Sequence, residues 1–226
     1  DPGAFSPRSL AFCLGHVLDC AFVLVLFAGF YHWGAKVCRR LAPAGLGSPL
    51  TQGLCACCMG EALAAAWLMA LGLLGLYRGW ILSLVFLALA YGALREREAL
   101  ASLVRRLWAA ALGKVSFLDL LCLAVLCAVL LSAAAAAGAP VTEWDTLAYH
   151  LALPKIYLAQ GALHRLPWSA CAHSPQNSEM VYLLALALRD GLAAQWVNLG
   201  HGVMLALAAY ELARRRFAPR AGLLAA

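Results

Sequence analysis

The sequence predicts an all-α protein: a polytopic bundle of transmembrane helices with an extracytoplasmic loop of short helices lying along the membrane. Three observations carry this reading. Hydrophobic residues make up 64% of the 226 positions and charged residues 12%, against roughly 45–50% and 25% in soluble domains. The apolar residues form runs approaching or exceeding the roughly 20 residues that a spanning helix needs. These runs are rich in Leu and Ala and lack the period-2 alternation of a barrel strand. Only helices and closed barrels satisfy every backbone N–H and C=O in lipid, so the choice falls on helices. The net charge is +6, but the basic residues cluster beside the apolar runs, so they read as topology signals and exclude a nucleic-acid surface.

The first run, residues 11–33, is followed by Lys36, Arg39 and Arg40, while only Asp1 and Arg8 precede it. By the positive-inside rule its N-terminal end faces out. The second run, 54–77, returns outward, and Arg78-Gly79 hands over to the third, 80–94, which ends inside at Arg95. From 95 to 114, Leu100, Leu103, Val104, Leu107 and Trp108 recur at helical spacing, with Arg97, Glu98, Arg105 and Arg106 off that face. That pattern predicts an amphipathic helix on the cytoplasmic surface. Residues 1–114 thus form an N-terminal membrane region of three spans plus this helix.

A second region, 115–226, opens with the fourth span, 115–138. Its exit leads into a stretch from 139 to 175 that is too polar to cross and too long for a plain turn. Pro154 removes a backbone donor and should divide any helix there. Two apolar runs follow, 176–188 and 192–213, separated by Arg189-Asp190-Gly191, and then Arg214, Arg215, Arg216 and Arg220. Two further crossings would place this cluster outside, against the positive-inside rule, so either the shorter run does not span or the rule is broken. The chain has no initiator Met and stops as a new apolar run begins, which reads as part of a longer polypeptide.

Chemistry is expected at Glu143-Trp144-Asp145, at the mouth of the fourth span. Two carboxylates at i and i+2 accept a proton or hold a divalent cation. The competing reading is that Thr142 caps a short helix and the acids complement its dipole. Cys55 and Cys58 have C-x-x-C spacing but no second Cys/His pair, and the other cysteines in apolar runs act as small hydrophobes. Among acids in or near spans, Asp19 and Asp119 lie near enough to helix ends to be solvated, which leaves Glu61 as the candidate of interest. His201 reads as a helix–helix hydrogen bonder, and Tyr149, Trp168 and Tyr182 as interfacial anchors.

Three strings, WDTLAYHLALPKIYLAQG at 144–161, SPQNSEMVYLLALAL at 174–188 and YELARRRFAPRAGLLAA at 210–226, resemble the GT-C glycosyltransferase superfamily, among protein O-mannosyltransferases, aminoarabinose transferases and bacterial family-39-like enzymes. The resemblance covers 115–226. It implies transfer of a sugar from a polyprenyl-phosphate donor to an acceptor at the extracytoplasmic face, in a multi-pass protein of a bacterial plasma membrane. It implies Asp145 as the base, with Glu143 beside it, and Tyr149, His150, Lys155, Arg165, His173 and Glu179 around donor and acceptor. No cofactor is certain, and a divalent metal on Glu143 and Asp145 is left open. The chain departs from the family where Glu143-x-Asp145 replaces an adjacent or Asp-x-Asp pair. It departs again where Ser174-Pro175-Gln176 replaces Lys-Pro-Pro, so that Lys155, His150 or His173 would have to contact the donor. The rival classes are a transporter, for which no repeat of two halves is visible, and a non-catalytic membrane subunit.

Overall fold

The computed structural model describes residues 7–111, 117–173 and 176–217, without the side chains of 7–12, 100, 103, 106–111, 118 and 173. Ser174, Pro175, Lys114, Arg220 and the side chain of His173 therefore lie outside the described residues. Among the described residues, seven α-helices follow one another: α1 (Pro7–Leu41), α2 (Pro49–Leu73), α3 (Gly79–Ala111), α4 (Phe117–Ala137), α5 (Ala152–Gln160), α6 (Asn177–Leu188) and α7 (Gly191–Arg216). A π-helical turn, Thr146–His150, precedes α5, and a 3₁₀ turn, Ala170–His173, lies between α5 and α6. No strand occurs among the described residues. α1, α2, α3, α4 and α7 are each long and apolar enough to cross a membrane, and the protein is a multi-pass membrane protein.

Local chemistry starts and stops these helices. The Ser48 hydroxyl accepts the Thr51 N–H at 3.2 Å, and Pro49 occupies the first turn of α2, where its missing N–H costs nothing. Arg39 and Arg40 close α1, where a helix C-terminus favours positive charge. Gly161, at φ 72°, ends α5 in the left-handed conformation that glycine adopts without strain.

α1 packs on α2, α3 and α7. Its contact with α2 is close: a Cβ on Gly34 would collide with the Ala56 carbonyl oxygen, and one on Gly60 with the Phe30 carbonyl oxygen. On the α3 side Phe22 and Phe86 stack with ring centroids 4.9 Å apart. α4 rests on α7 and leaves Leu120, Leu121, Val125, Val129 and Leu131 exposed, a face suited to lipid.

α3 differs from the sequence expectation. The segment expected to lie separately on the surface continues α3 without a break through Ala111. Residues 95–111 contain no Gly or Pro, and Arg, Glu, Ala and Leu all favour propagation, so the helix has no reason to stop at the membrane boundary.

α6 settles the crossing conflict. Its 12 residues reach about 18 Å, well short of the roughly 30 Å of hydrocarbon. Residues 179–185 are all buried, enclosed by α2, α3, α5 and α7, as expected for a helix apolar on every side. Five crossings then bring the end of α7 to the end of the bundle that holds Lys36, Arg39 and Arg40. The contacts agree. Buried Glu211 accepts hydrogen bonds from Ser48 and from Thr51 (3.1 Å), and pairs with Arg214 and Arg215 at 2.6 Å each. The Arg215 guanidinium lies against Gly47.

The opposite end is tied to the loop region. Tyr77 N–H donates to Gly161 O at 3.0 Å, Leu163 N–H to Gly72 O at 2.8 Å, and Gln195 Nε2 to Ala139 O at 2.9 Å. Here Asp19 is not solvated as expected. It is 2% exposed and pairs with Arg189, whose Nη2 and Nε lie 2.7 and 2.8 Å from Oδ1. Arg189→Met should strand that carboxylate, at a cost of about 3–5 kcal/mol. Thermal unfolding in detergent checks this: the Asp19→Asn/Arg189→Met double variant should melt above the single Arg189→Met.

Candidate active site

After α4 the chain turns at Gly138 and re-enters helix at Trp144-Asp145. Pro154 has no N–H to offer the carbonyl of His150, so an ordinary helix cannot run through unbroken. The ladder instead widens: Leu151 N–H bonds Thr146 O at 2.9 Å, five residues back, and Lys155 N–H then bonds Leu151 O at 3.2 Å. The expected division of this helix is thus found one turn ahead of Pro154. The extra residue of the π turn re-aims the side chains that follow it. Leu151 is buried, Ile156 packs on the core and Leu147 is half exposed.

The re-aimed residue of consequence is His150. Its Nδ1 lies 2.7 Å from Glu179 Oε1. Glu179 sits in the first turn of α6, where the helix dipole favours a carboxylate, and it is 7% exposed. The Tyr149 ring lies 4.1 Å from that of His150. Loss of hydration pushes the Tyr149 phenol above its usual range, and the neighbouring Asp145, Cys171 and Glu179 add to the shift.

These residues border a cavity of about 900 Å³. Glu143 and Asp145 stand exposed at its rim, with His150 and buried Glu179 in its wall. Asn177 and Ser178 come from α6, and Gln195 and Asn198 from α7. Small residues also line it: Ala133, Ala136 and Ala137 on α4, and Gly202 on α7. Among the described residues, the cavity thus carries three carboxylates and one imidazole, and no Lys or Arg lines it.

Asp145 makes no side-chain capping hydrogen bond to the turn it precedes. The bond within that turn runs from the Thr146 hydroxyl to Glu143 Oε2, at 3.2 Å. The two acids therefore differ: Glu143 braces the turn, and Asp145 is left to the cavity. Such a carboxylate can take a proton from a hydroxyl placed beside it.

Of the residues singled out in the sequence, the fold brings Glu143, Asp145, His150 and Glu179 to one cavity, with Tyr149 against them. Lys155 and Arg165 are exposed and do not line it. Among the described residues, no three His, Cys, Asp or Glu side chains are grouped as metal ligands. Tyr182 is not an interfacial anchor. It is 8% exposed, and its hydroxyl donates to Asn198 Oδ1 at 3.3 Å. Gln195 and Asn198 were missed, although three-residue spacing of polar groups inside an apolar span marks one inward face. His201 does bond between helices, and its partner is Glu61 of α2, at 2.8 Å. Comparisons with family models, with curated proteins and with solved structures found no match.

Proposed function

We propose that this protein is an integral-membrane glycosyltransferase, or the part of one that holds its acidic centre. It moves a sugar from a polyprenyl-phosphate donor to an acceptor hydroxyl at the extracytoplasmic face. The observation that carries the reading is the Asp145 carboxylate, which makes no capping bond, at the rim of a cavity that small apolar residues also line. A lipid-linked donor needs both features. Its chain lies in the membrane, and its reacting carbon meets the polar rim. Asp145 takes the acceptor hydroxyl's proton as the oxygen attacks the anomeric carbon, and the phosphate departs with the bonding electrons. His150, in the cavity wall, can donate a ring N–H to that phosphate. Glu179 holds the His150 ring through Nδ1.

The cavity lies at the end of the bundle opposite Lys36, Arg39, Arg40 and Arg214–Arg216, which by the positive-inside rule is the outer end. Cys171, half-buried beside the core, reports on this. In a variant retaining Cys171 alone, a membrane-impermeant thiol reagent should label it from the outer side. Labelling confined to the cytoplasmic side would reverse the orientation and remove the donor argument. The reaction itself is tested by incubating membranes that carry the complete polypeptide to which this chain belongs with radiolabelled polyprenyl-phosphate sugars. Label should move to a hydroxyl acceptor, and no transfer with any of a panel of mannosyl, glucosyl and aminoarabinosyl donors would refute the reading.

A further inference from the structure

We propose that Glu61 and His201 form an intramembrane proton-binding site supplied from the cavity. Glu61 stands at the centre of α2 and His201 well inside α7, both on helices long and apolar enough to span. Their side chains are 15% and 23% exposed, and Oε1 and Nε2 are 2.8 Å apart. Ionisable side chains at such depth are costly to keep, and they mark proton and ion pathways more often than they mark packing. A carboxylate and an imidazole in hydrogen-bond contact share one proton and can take up a second.

Tyr182 stands between this pair and the cavity. Tyr182, on the short buried helix α6, lies with its ring 6.5 Å from that of His201 and 6.4 Å from that of His150. Its hydroxyl bonds Asn198, and Asn198, Tyr182, His150 and Glu179 all line the cavity. Two His–Glu pairs thus flank one phenol. A pair kept only to join α2 to α7 would need no phenol between it and the cavity. The proton passes from cavity water to the His150–Glu179 pair, past the Tyr182 hydroxyl, and onto the His201–Glu61 pair. Only O–H and N–H bonds form and break, and no co-reactant is consumed.

The groups facing Glu61 are His201 from α7, Tyr182 from α6, and Cys57 and Cys58 from its own helix, while α1 presents the Phe27 ring to His201. The proposal uses the cavity but not the sugar-transfer reaction, so either can fail alone.

Infrared difference spectra of the whole protein in lipid nanodiscs, taken between about pH 8 and about pH 5 in H₂O and in D₂O, test it across the range where imidazole and perturbed carboxyl groups titrate. Wild type should show a carboxyl signal that grows on acidification and shifts in D₂O. Glu61→Gln, which keeps size and a hydrogen bond to His201, should lose that signal. Tyr182→Phe should keep it but exchange deuterium about tenfold or more slowly, the effect of losing one hydrogen-bonded step. A Glu61→Gln spectrum identical to wild type would make the pair a static helix contact. Exchange in Tyr182→Phe as fast as in wild type would overturn the supply route, and this variant decides the matter if Glu61→Gln does not accumulate.

Discussion

Replacing Asp145 by Asn is expected to lower sugar transfer by about 100- to 10,000-fold, the usual loss when a general base is removed. Protein level and melting in detergent should change little. The expectation rests on where the carboxylate stands. Asp145 is exposed and makes no capping bond, so Asn disturbs no structural hydrogen bond and in any case caps helices about as well as Asp. What it removes is the charge and the ability to accept a proton. Glu143→Gln is expected to cost less, because the Gln side-chain oxygen still accepts from the Thr146 hydroxyl that Glu143 now receives. Equal losses for the two variants would instead mean that both acids act together, as two ligands of one divalent cation do. Near-normal transfer by Asp145→Asn would remove Asp145 from the mechanism and shift attention to Glu179, the cavity's buried carboxylate.

The helices could be read from composition because a bilayer leaves few options: an apolar run of sufficient length must satisfy its own backbone, and length alone then separates the spanning runs from α6. Even the conflict over Arg214–Arg216 was legible, since it left two outcomes, a short run that does not cross or a broken positive-inside rule. The limit of α3 was not, because basic residues at a membrane boundary look alike whether the helix bends onto the surface or runs straight on. Nor could the partners of the buried ions be read. Asp19 meets Arg189 across 170 positions, Glu61 meets His201 across 140 and His150 meets Glu179 across 29. Each pairing depends on which helices become neighbours, and helices that are apolar on every side give little sign of that. Half of the site was therefore foreseeable. Glu143 and Asp145 share one short turn and had to emerge together, whereas Lys155 on α5 and Arg165 in the loop after it are exposed and do not line the cavity.

The choice of neighbours was instead written in small residues, and Gly60 carries a large expected effect on stability. Substitution by Leu should cost about 3 kcal/mol or more, at or beyond the upper end of the usual overpacking penalty. The reason is what the new side chain meets. At many buried sites a flexible neighbour can give way, but here the first atom is the Phe30 carbonyl oxygen, part of the backbone of α1. The two helices must then move apart along their length. The reciprocal contact of Gly34 with the Ala56 carbonyl oxygen would loosen with it, and the close approach that small residues allow membrane helices would be lost. Gly53, on the same helix with nothing within 4 Å of the position a Cβ would take, supplies the control. Gly53→Ala should leave stability unchanged or raise it by about 0.4–1 kcal/mol through reduced freedom of the unfolded chain. Thermal unfolding in one detergent should therefore fall for Gly60→Leu and stay level or rise for Gly53→Ala, on one helix. A Gly60→Leu protein that melts with the wild type would show that α1 and α2 do not meet at Gly60.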